Sequence, residues 1–153
     1  RAIQCGKIHI DFIVNKHLRN TPTQQMNAKT GYLTVSTPEG TARDLLLYPT
    51  QSSGLNFIVT VLTELIEVID PEKLLTVAKN TENIACIQRL GYLLEVITPL
   101  DEEPKKTCIQ KLKSFILEKN PKPTPLAAHI TYKHSPKHPG WNIYINTTIE
   151  SDI

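Results

Sequence analysis

Acidic residues in the first third of the chain are the first candidates for chemistry, because suitably spaced carboxylates bind divalent metal ions. Asp11 and Lys16 are part of a nuclease-like pattern, but their spacing differs from that of such a centre. A second acid would have to come from Glu39 or Asp44. A divalent-metal nuclease built on Asp11, Glu39 and Asp44 is therefore kept only as an alternative, and no catalytic residue is predicted.

Histidines near the C-terminus are the second candidates. His134 and His138 are four residues apart and His129 lies nearby, but the intervening prolines break any helix that would align them. The chain also lacks the phosphate-loop pattern G-x-x-x-x-G-K-[ST], the dinucleotide pattern G-x-G-x-x-G and the nucleophile elbow G-x-S-x-G. We predict a solvated histidine loop, no metal, no cofactor and a protein that is not an enzyme.

Residues 35–48 predict a strand that runs into a helix, and the start of that helix has two possible registers. Ser36 can cap the helix while Glu39, three residues later, reaches back to it. Alternatively Thr37 is the cap and Pro38 is the first helical residue, where its missing N–H costs nothing. Both registers begin the helix within one residue of each other.

One face of this helix is polar. Glu39 and Arg43 are four residues apart with the acid first, which favours an ion pair between them. The polar stripe consists of Thr37, Thr41, Asp44 and Tyr48. Asp44 among leucines suggests a hydrogen-bonded polar seam, whereas the simpler interpretation is that these side chains bond only to backbone and fix the strand–helix corner.

The N-terminal and C-terminal parts are predicted to be β-structure. Residues 7–14 alternate as a half-buried strand, residues 15–30 form a polar loop, and residues 32–35 form a second strand. Residues 127–132 and 141–146 are predicted to form a terminal hairpin in which Trp141, Ile143 and Ile145 face the helices.

The middle of the chain is helical. Residues 55–69 are predicted to be the core helix because they are apolar around much of its circumference. Later helices are expected over residues 71–79, capped by Asp70, from Thr81 to about residue 97, and from Asp101 to about residue 119, followed by a linker at 120–126. Gly91 inside the helix from Thr81 to about residue 97 costs roughly 1 kcal/mol relative to alanine, so we expect another backbone to approach it closely, with Arg89 beside it.

These elements predict one domain over residues 1–153. Its class is α+β, with a mostly antiparallel sheet of about four strands packed against four or five helices. Three widely spaced cysteines, of which Cys86 and Cys108 are predicted to be buried, indicate a reducing compartment, the cytoplasm. The sequence contains no run of about 18 apolar residues, so no membrane span is predicted.

Lysines are concentrated in the last third of the chain, although the net charge is only +2. The candidate nucleic-acid contacts are Lys105, Lys106, Lys111, Lys113, Lys133 and Lys137. Such a surface would bind phosphates with a steep dependence on salt. The simpler interpretation is a solvated lysine-rich face.

Four segments together resemble the AbiEi family, the antitoxins and transcriptional regulators of abortive-infection (type IV) toxin–antitoxin systems. They are V-S-T-P-E-x-T-x-x-D at 35–44, Gly-Leu at 54–55, D-P-E-K-L-L at 70–75 and Q-R-L-G-Y-L-L at 88–94. The motif residues carried forward are Ser36, Thr37, Glu39, Thr41, Asp44, Arg89 and Gly91. Segment 101–126 matches nothing in that pattern.

The resemblance implies more than the residues themselves show. The chain would be the C-terminal antitoxin domain of a longer protein, as its start at Arg1 rather than methionine also suggests. A winged helix-turn-helix domain upstream would bind promoter DNA, with self-association on the DNA as a further expectation. The functional partner would be a nucleotidyltransferase toxin, opposed without a stable complex.

Overall fold

The computed structural model describes residues 2–14, 18, 21–98 and 102–149 of the 153-residue chain. The predicted helix cap Asp101, the nuclease-like Lys16 and residues 150–153 lie outside the described residues.

Two antiparallel β-hairpins precede the helices. Strands β1 (Ala2–Cys5) and β2 (Ile8–Asp11) form the first, and β3 (Thr23–Ala28) and β4 (Gly31–Ser36) form the second. The predicted strands within 7–14 and 32–35 are confirmed. The predicted loop over 15–30 is wrong, because the polar sequence T-Q-Q-M-N-A forms β3 by pairing with β4 rather than by showing an apolar alternation of its own.

The first hairpin is exposed on both faces, so the predicted half-burial of residues 7–14 is wrong. Ile3 and Ile10 are paired across the hairpin, yet Ile10 is 42% exposed and Phe12, which follows it, is 57% exposed. The alternation in the sequence correctly indicates a strand with one apolar face, but no helix covers that face among the described residues.

Five helices follow in the described chain: α1 (Pro38–Leu47), α2 (Leu55–Leu65), α3 (Pro71–Lys79), α4 (Ile84–Ile97) and α5 (Lys105–Lys119). Asp70 caps α3 by accepting the N–H groups of Glu72 and Lys73, as predicted. The predicted cap Thr81 is wrong, because its hydroxyl donates to the Val77 carbonyl and α4 begins after Asn83.

Helix α4 forms the centre of the core, packing against α1, α2 and α5. Of the nine consecutive positions from Cys86 to Leu94, eight are buried, and the exception is Arg89. The prediction that residues 55–69 form the central helix of the core is therefore wrong, because α4 is the central helix and the helix in this segment is shorter than predicted. Helix α2 ends at Leu65, and Phe57 on its outer side is 52% exposed.

The C-terminal segment forms a three-stranded sheet in the order β5 (Thr124–Pro125), β7 (Ile143–Tyr144), β6 (Lys137–His138). Strand β7 is parallel to β5 and antiparallel to β6. The predicted strand at 127–132 is wrong, because residue 124 rather than 127 begins the pairing with β7. Trp141 and Ile143 are fully buried against the helices and Ile145 packs on them, as predicted.

The α+β class is confirmed, with mostly antiparallel pairing. The described residues contain seven short strands in three small sheets, rather than one sheet of about four strands. Across the same residues, no helix combines the length and the apolar character that crossing a membrane requires.

Candidate functional site

The start of α1 uses the second of the two predicted registers. The N–H of Gly40 donates to the Thr37 hydroxyl at 3.3 Å, and Pro38 is the first helical residue. Ser36 instead donates to the Thr37 carbonyl, so the expected bond between Ser36 and Glu39 does not form. The start of the helix was predicted correctly because each of the two possible caps involves only residues close in sequence.

Glu39 connects α1 to the start of α3. Its side chain is buried at 3% exposure, and its Oε1 accepts the N–H of Asp70 at 2.9 Å. The predicted ion pair with Arg43 is therefore wrong. The residue at position 70 is 31 positions away, which is beyond the range of a helix-spacing argument.

Replacing Glu39 with alanine should lower the free energy of unfolding by about 1.5–3 kcal/mol, as for a lost hydrogen bond to a charged acceptor. The Asp70 N–H would be left without its side-chain acceptor. Urea unfolding followed by circular dichroism measures the change. The matched control is Glu118→Ala at an exposed position of α5, which should change stability by less than about 0.5 kcal/mol. Equal stability of the two variants would contradict the role given to Glu39.

Arg43 and Asp44 form an ion pair between sequence neighbours. Arg43 Nε donates to Asp44 Oδ1 at 2.9 Å, and Arg43 Nη2 lies 2.7 Å from the same oxygen. Arg43 is 4% exposed, and its Nη2 also donates to the Thr21 hydroxyl at 2.9 Å. The Asp44 side chain keeps 28% of its surface accessible. Asp44 is thus the counter-ion of a buried guanidinium.

The other members of the predicted stripe are joined by backbone bonds. The Thr41 N–H donates to the Thr37 carbonyl at 2.8 Å, and the Tyr48 N–H donates to the Asp44 carbonyl at 3.1 Å. Among the described residues, the side-chain partner of Asp44 is Arg43 rather than the threonines. The polar seam therefore runs from α1 to Thr21 and not along the helix.

Gly91 lies beneath the indole of Trp141. A Cβ added at Gly91 would lie 2.6 Å from Cε3 and closer still to Cζ3 and Cη2. The expected close approach to Gly91 is present, but the neighbour is an aromatic ring and not a backbone. Trp141 is fully buried, and its indole N–H donates to Glu95.

Glu95 accepts hydrogen bonds from two side chains, Lys113 and Trp141, beside the contact between Trp141 and Gly91. Lys113 donates to its Oε1 at 2.8 Å, and the Lys113 ammonium lies 5.7 Å from the centre of the Trp141 ring. Burial alone would raise the pKa of Glu95, but the hydrogen bonds from Lys113 and Trp141 hold that pKa below its usual value. The carboxylate thus joins α4, α5 and the C-terminal segment.

Two adjacent side chains of α4 hold the C-terminal segment in place. Gln88 is 1% exposed, and its Nε2 donates to the carbonyls of Trp141 and Asn142 at 3.0 and 3.1 Å. Arg89 donates from Nε to the Pro125 carbonyl at 3.0 Å and from Nη2 to the Thr124 hydroxyl at 3.1 Å. The sequence analysis did not identify Gln88 as a contact residue. The only indication in the sequence was that a polar residue stands among apolar ones.

Three of the six candidate nucleic-acid lysines are paired with carboxylates. Lys111 lies 2.8 Å from Glu72 and Lys113 lies 2.8 Å from Glu95. Lys105 is paired with both Glu67 and Glu102. The remaining three have no ion-pair partner within the described part of the chain; they are Lys106, Lys133 and Lys137.

The acids and histidines considered as metal ligands do not converge. Asp11 is exposed and lies 3.4 Å from His9, whereas Glu39 and Asp44 bond to Asp70 and Arg43. Within residues 2–14, 21–98 and 102–149, no three His, Cys, Asp or Glu side chains are grouped so that they could hold a metal ion.

The two helical cysteines behave as small apolar residues, as predicted. Cys86 and Cys108 are at most 1% exposed. Burial raises the pKa of Cys86 to about 12 and that of Cys108 to about 11. Both thiols therefore stay protonated and poorly nucleophilic near neutral pH.

The fold and its polar contacts define a helical α+β domain in which Glu39, Asp44 and Arg89 bond to groups of the fold itself. In a comparison with protein-family models, residues 1–96 match the AbiEi antitoxin C-terminal domain. The match covers well over half of the 153 residues, and the chain belongs to this family of regulatory domains from toxin–antitoxin and abortive-infection systems. Comparisons with curated proteins and with solved structures give no match.

Proposed function

We propose that this chain is the antitoxin domain of an AbiEi-type transcriptional repressor that counteracts a nucleotidyltransferase toxin. The family match over residues 1–96 carries this proposal. An upstream winged helix-turn-helix domain would bind the promoter, and the present domain would support autoregulation through self-association on the DNA. The protein would act in the cytoplasm and would oppose its toxin without forming a stable complex.

The partners of the polar residues support a non-catalytic role. Glu39 accepts a backbone N–H, and Arg43 bonds to Asp44 and to the Thr21 hydroxyl. Arg89 is bonded to the C-terminal segment. An enzyme would be expected to aim such groups at a substrate.

Co-expression of the full-length protein with the neighbouring nucleotidyltransferase tests the proposal. Growth arrested by the toxin should recover when the full-length protein is present, and it should not recover when this domain is deleted. The exposed substitution Lys122→Gln is the matched control and should leave recovery unchanged. Continued arrest with the full-length protein, in cells where the toxin is demonstrably active, would overturn the antitoxin assignment.

The alternative functions receive less support. A nucleic-acid-binding accessory domain needs free cations, but Lys105, Lys111 and Lys113 are already paired with acids. A divalent-metal nuclease needs converging carboxylates, and the described part of the chain holds no such group.

A further inference from the structure

An apolar cleft opens where α4 meets the end of α1, the start of α2 and the segment after β5. Its volume is about 430 Å³, which lies within the range of small-molecule sites. Aliphatic and proline side chains form most of its wall: Leu46, Pro49, Leu55, Leu126, Ala127 and Ala128.

One permanent positive charge lines this apolar cleft. Arg89 belongs to the wall, and its bonds to Pro125 and Thr124 fix the orientation of the guanidinium. A guanidinium has five N–H donors, and these two bonds use two of them. No carboxylate among the described residues pairs with Arg89.

The environment of Arg89 makes an added anion favourable. Burial lowers the pKa of Arg89, which reflects the cost of holding its charge away from water. Arg43, the other arginine of the helical core, offsets this cost with Asp44, whereas the acceptors of Arg89 in the described part of the chain are neutral. A carboxylate would supply the missing negative charge and could accept two parallel N–H bonds, the bidentate geometry that guanidinium groups favour.

The wall also narrows the choice of ligand. Among the described residues, its one aromatic ring is that of His129, and it contains no Phe, Tyr or Trp, the larger rings on which nucleobases usually stack. Its aliphatic side chains instead match a flexible hydrocarbon chain. Gly54, the residue before α2, also lies on the wall, and no side chain caps that helix. The N-terminus of a helix carries a partial positive charge, so the electrostatic potential here also favours an anion.

We infer that this cleft binds a small aliphatic carboxylate, with the carboxylate on Arg89 and the hydrocarbon chain against Leu46, Leu55 and Leu126. The cleft is a site separate from the antitoxin assignment. Part of its wall comes from residues 126–129, which lie beyond the stretch that the family model matches.

Isothermal titration of the full chain with three probes tests this inference. Octanoate should bind at one site. The neutral analogue 1-octanol should bind about tenfold more weakly or worse, because it lacks the charge that pairs with Arg89. Butanoate should also bind about tenfold more weakly or worse, because it buries less hydrocarbon. Octanol that binds as tightly as octanoate would overturn the inference.

Three variants assign the binding to this cleft. Arg89→Gln should remove the preference for octanoate over octanol, and Ala128→Trp should block both by filling the cleft. Lys106→Gln, which removes an exposed charge elsewhere, should bind octanoate as the parent chain does. If Arg89→Gln does not fold, Ala128→Trp decides alone, and undiminished octanoate binding by that variant would refute the site.

Discussion

Replacing Gly91 with alanine is expected to destabilise the protein by about 3 kcal/mol, at the upper end of the usual cost of overpacking a core. The new Cβ would meet the Trp141 ring, which is fully buried and cannot move aside into solvent. For a chain of this length, the melting temperature should fall by roughly 6–12 °C. Thermal unfolding followed by circular dichroism measures the shift.

The sign of the Gly91 effect separates packing from helix propensity. In a helix free of tertiary contacts, exchanging glycine for alanine stabilises by about 1 kcal/mol. Ala85→Gly, made at a half-buried position of the same helix, gives the cost of adding a glycine to α4 and should destabilise by about 1 kcal/mol. An unchanged or raised melting temperature for Gly91→Ala would show that Trp141 does not lie on this glycine.

A double variant tests the contact directly. Trp141→Leu removes the ring atoms that crowd position 91, so Gly91→Ala should cost far less in that background. The two substitutions should therefore depart from additivity by about 1 kcal/mol or more.

The second large effect is expected at the ion pair of α1. Asp44→Ala should lower the free energy of unfolding by about 1–3 kcal/mol, because the buried Arg43 loses its counter-ion and, among the described side chains, keeps the Thr21 hydroxyl. Removing one partner of a fully buried ion pair costs more, but the partial exposure of Asp44 lets water replace some of the interaction with Arg43. Urea unfolding measures the difference.

The controls for Asp44 separate charge from packing. Asp44→Asn keeps an acceptor oxygen for Arg43 and should cost less than the alanine substitution. Removing the charge on the other side first, with Arg43→Met, should reduce the cost of Asp44→Ala, since no guanidinium remains unpaired. If the melting temperature of Asp44→Ala equals that of the parent protein, the pair has no structural role.

What the sequence could predict here depended on distance along the chain. The caps at Thr37 and Asp70 were recognisable because each bonds to N–H groups two or three residues later. Gly91 was also informative, because its cost in a helix requires compensation elsewhere. These signals were sufficient for the α+β class and for most helix positions.

The remaining errors concern long-range partners. Glu39 bonds to a residue 31 positions away, and Gln88 reaches 53 and 54 positions along the chain. Helix spacing proposed a nearer partner for Glu39 and none for Gln88. Likewise, β3 is polar, so its pairing with β4 left no pattern of apolar alternation to detect.

The way α4 holds the C-terminal segment determines where this protein can be shortened. The family match ends at residue 96, so a chain cut at that position would keep Gln88, Gly91 and Glu95 but lose Trp141. The surface beneath the missing indole would become a water-filled notch lined by the helix backbone. The end of the family match is therefore a poor place to divide the polypeptide, and a shortened chain that keeps these contacts has to extend through β7.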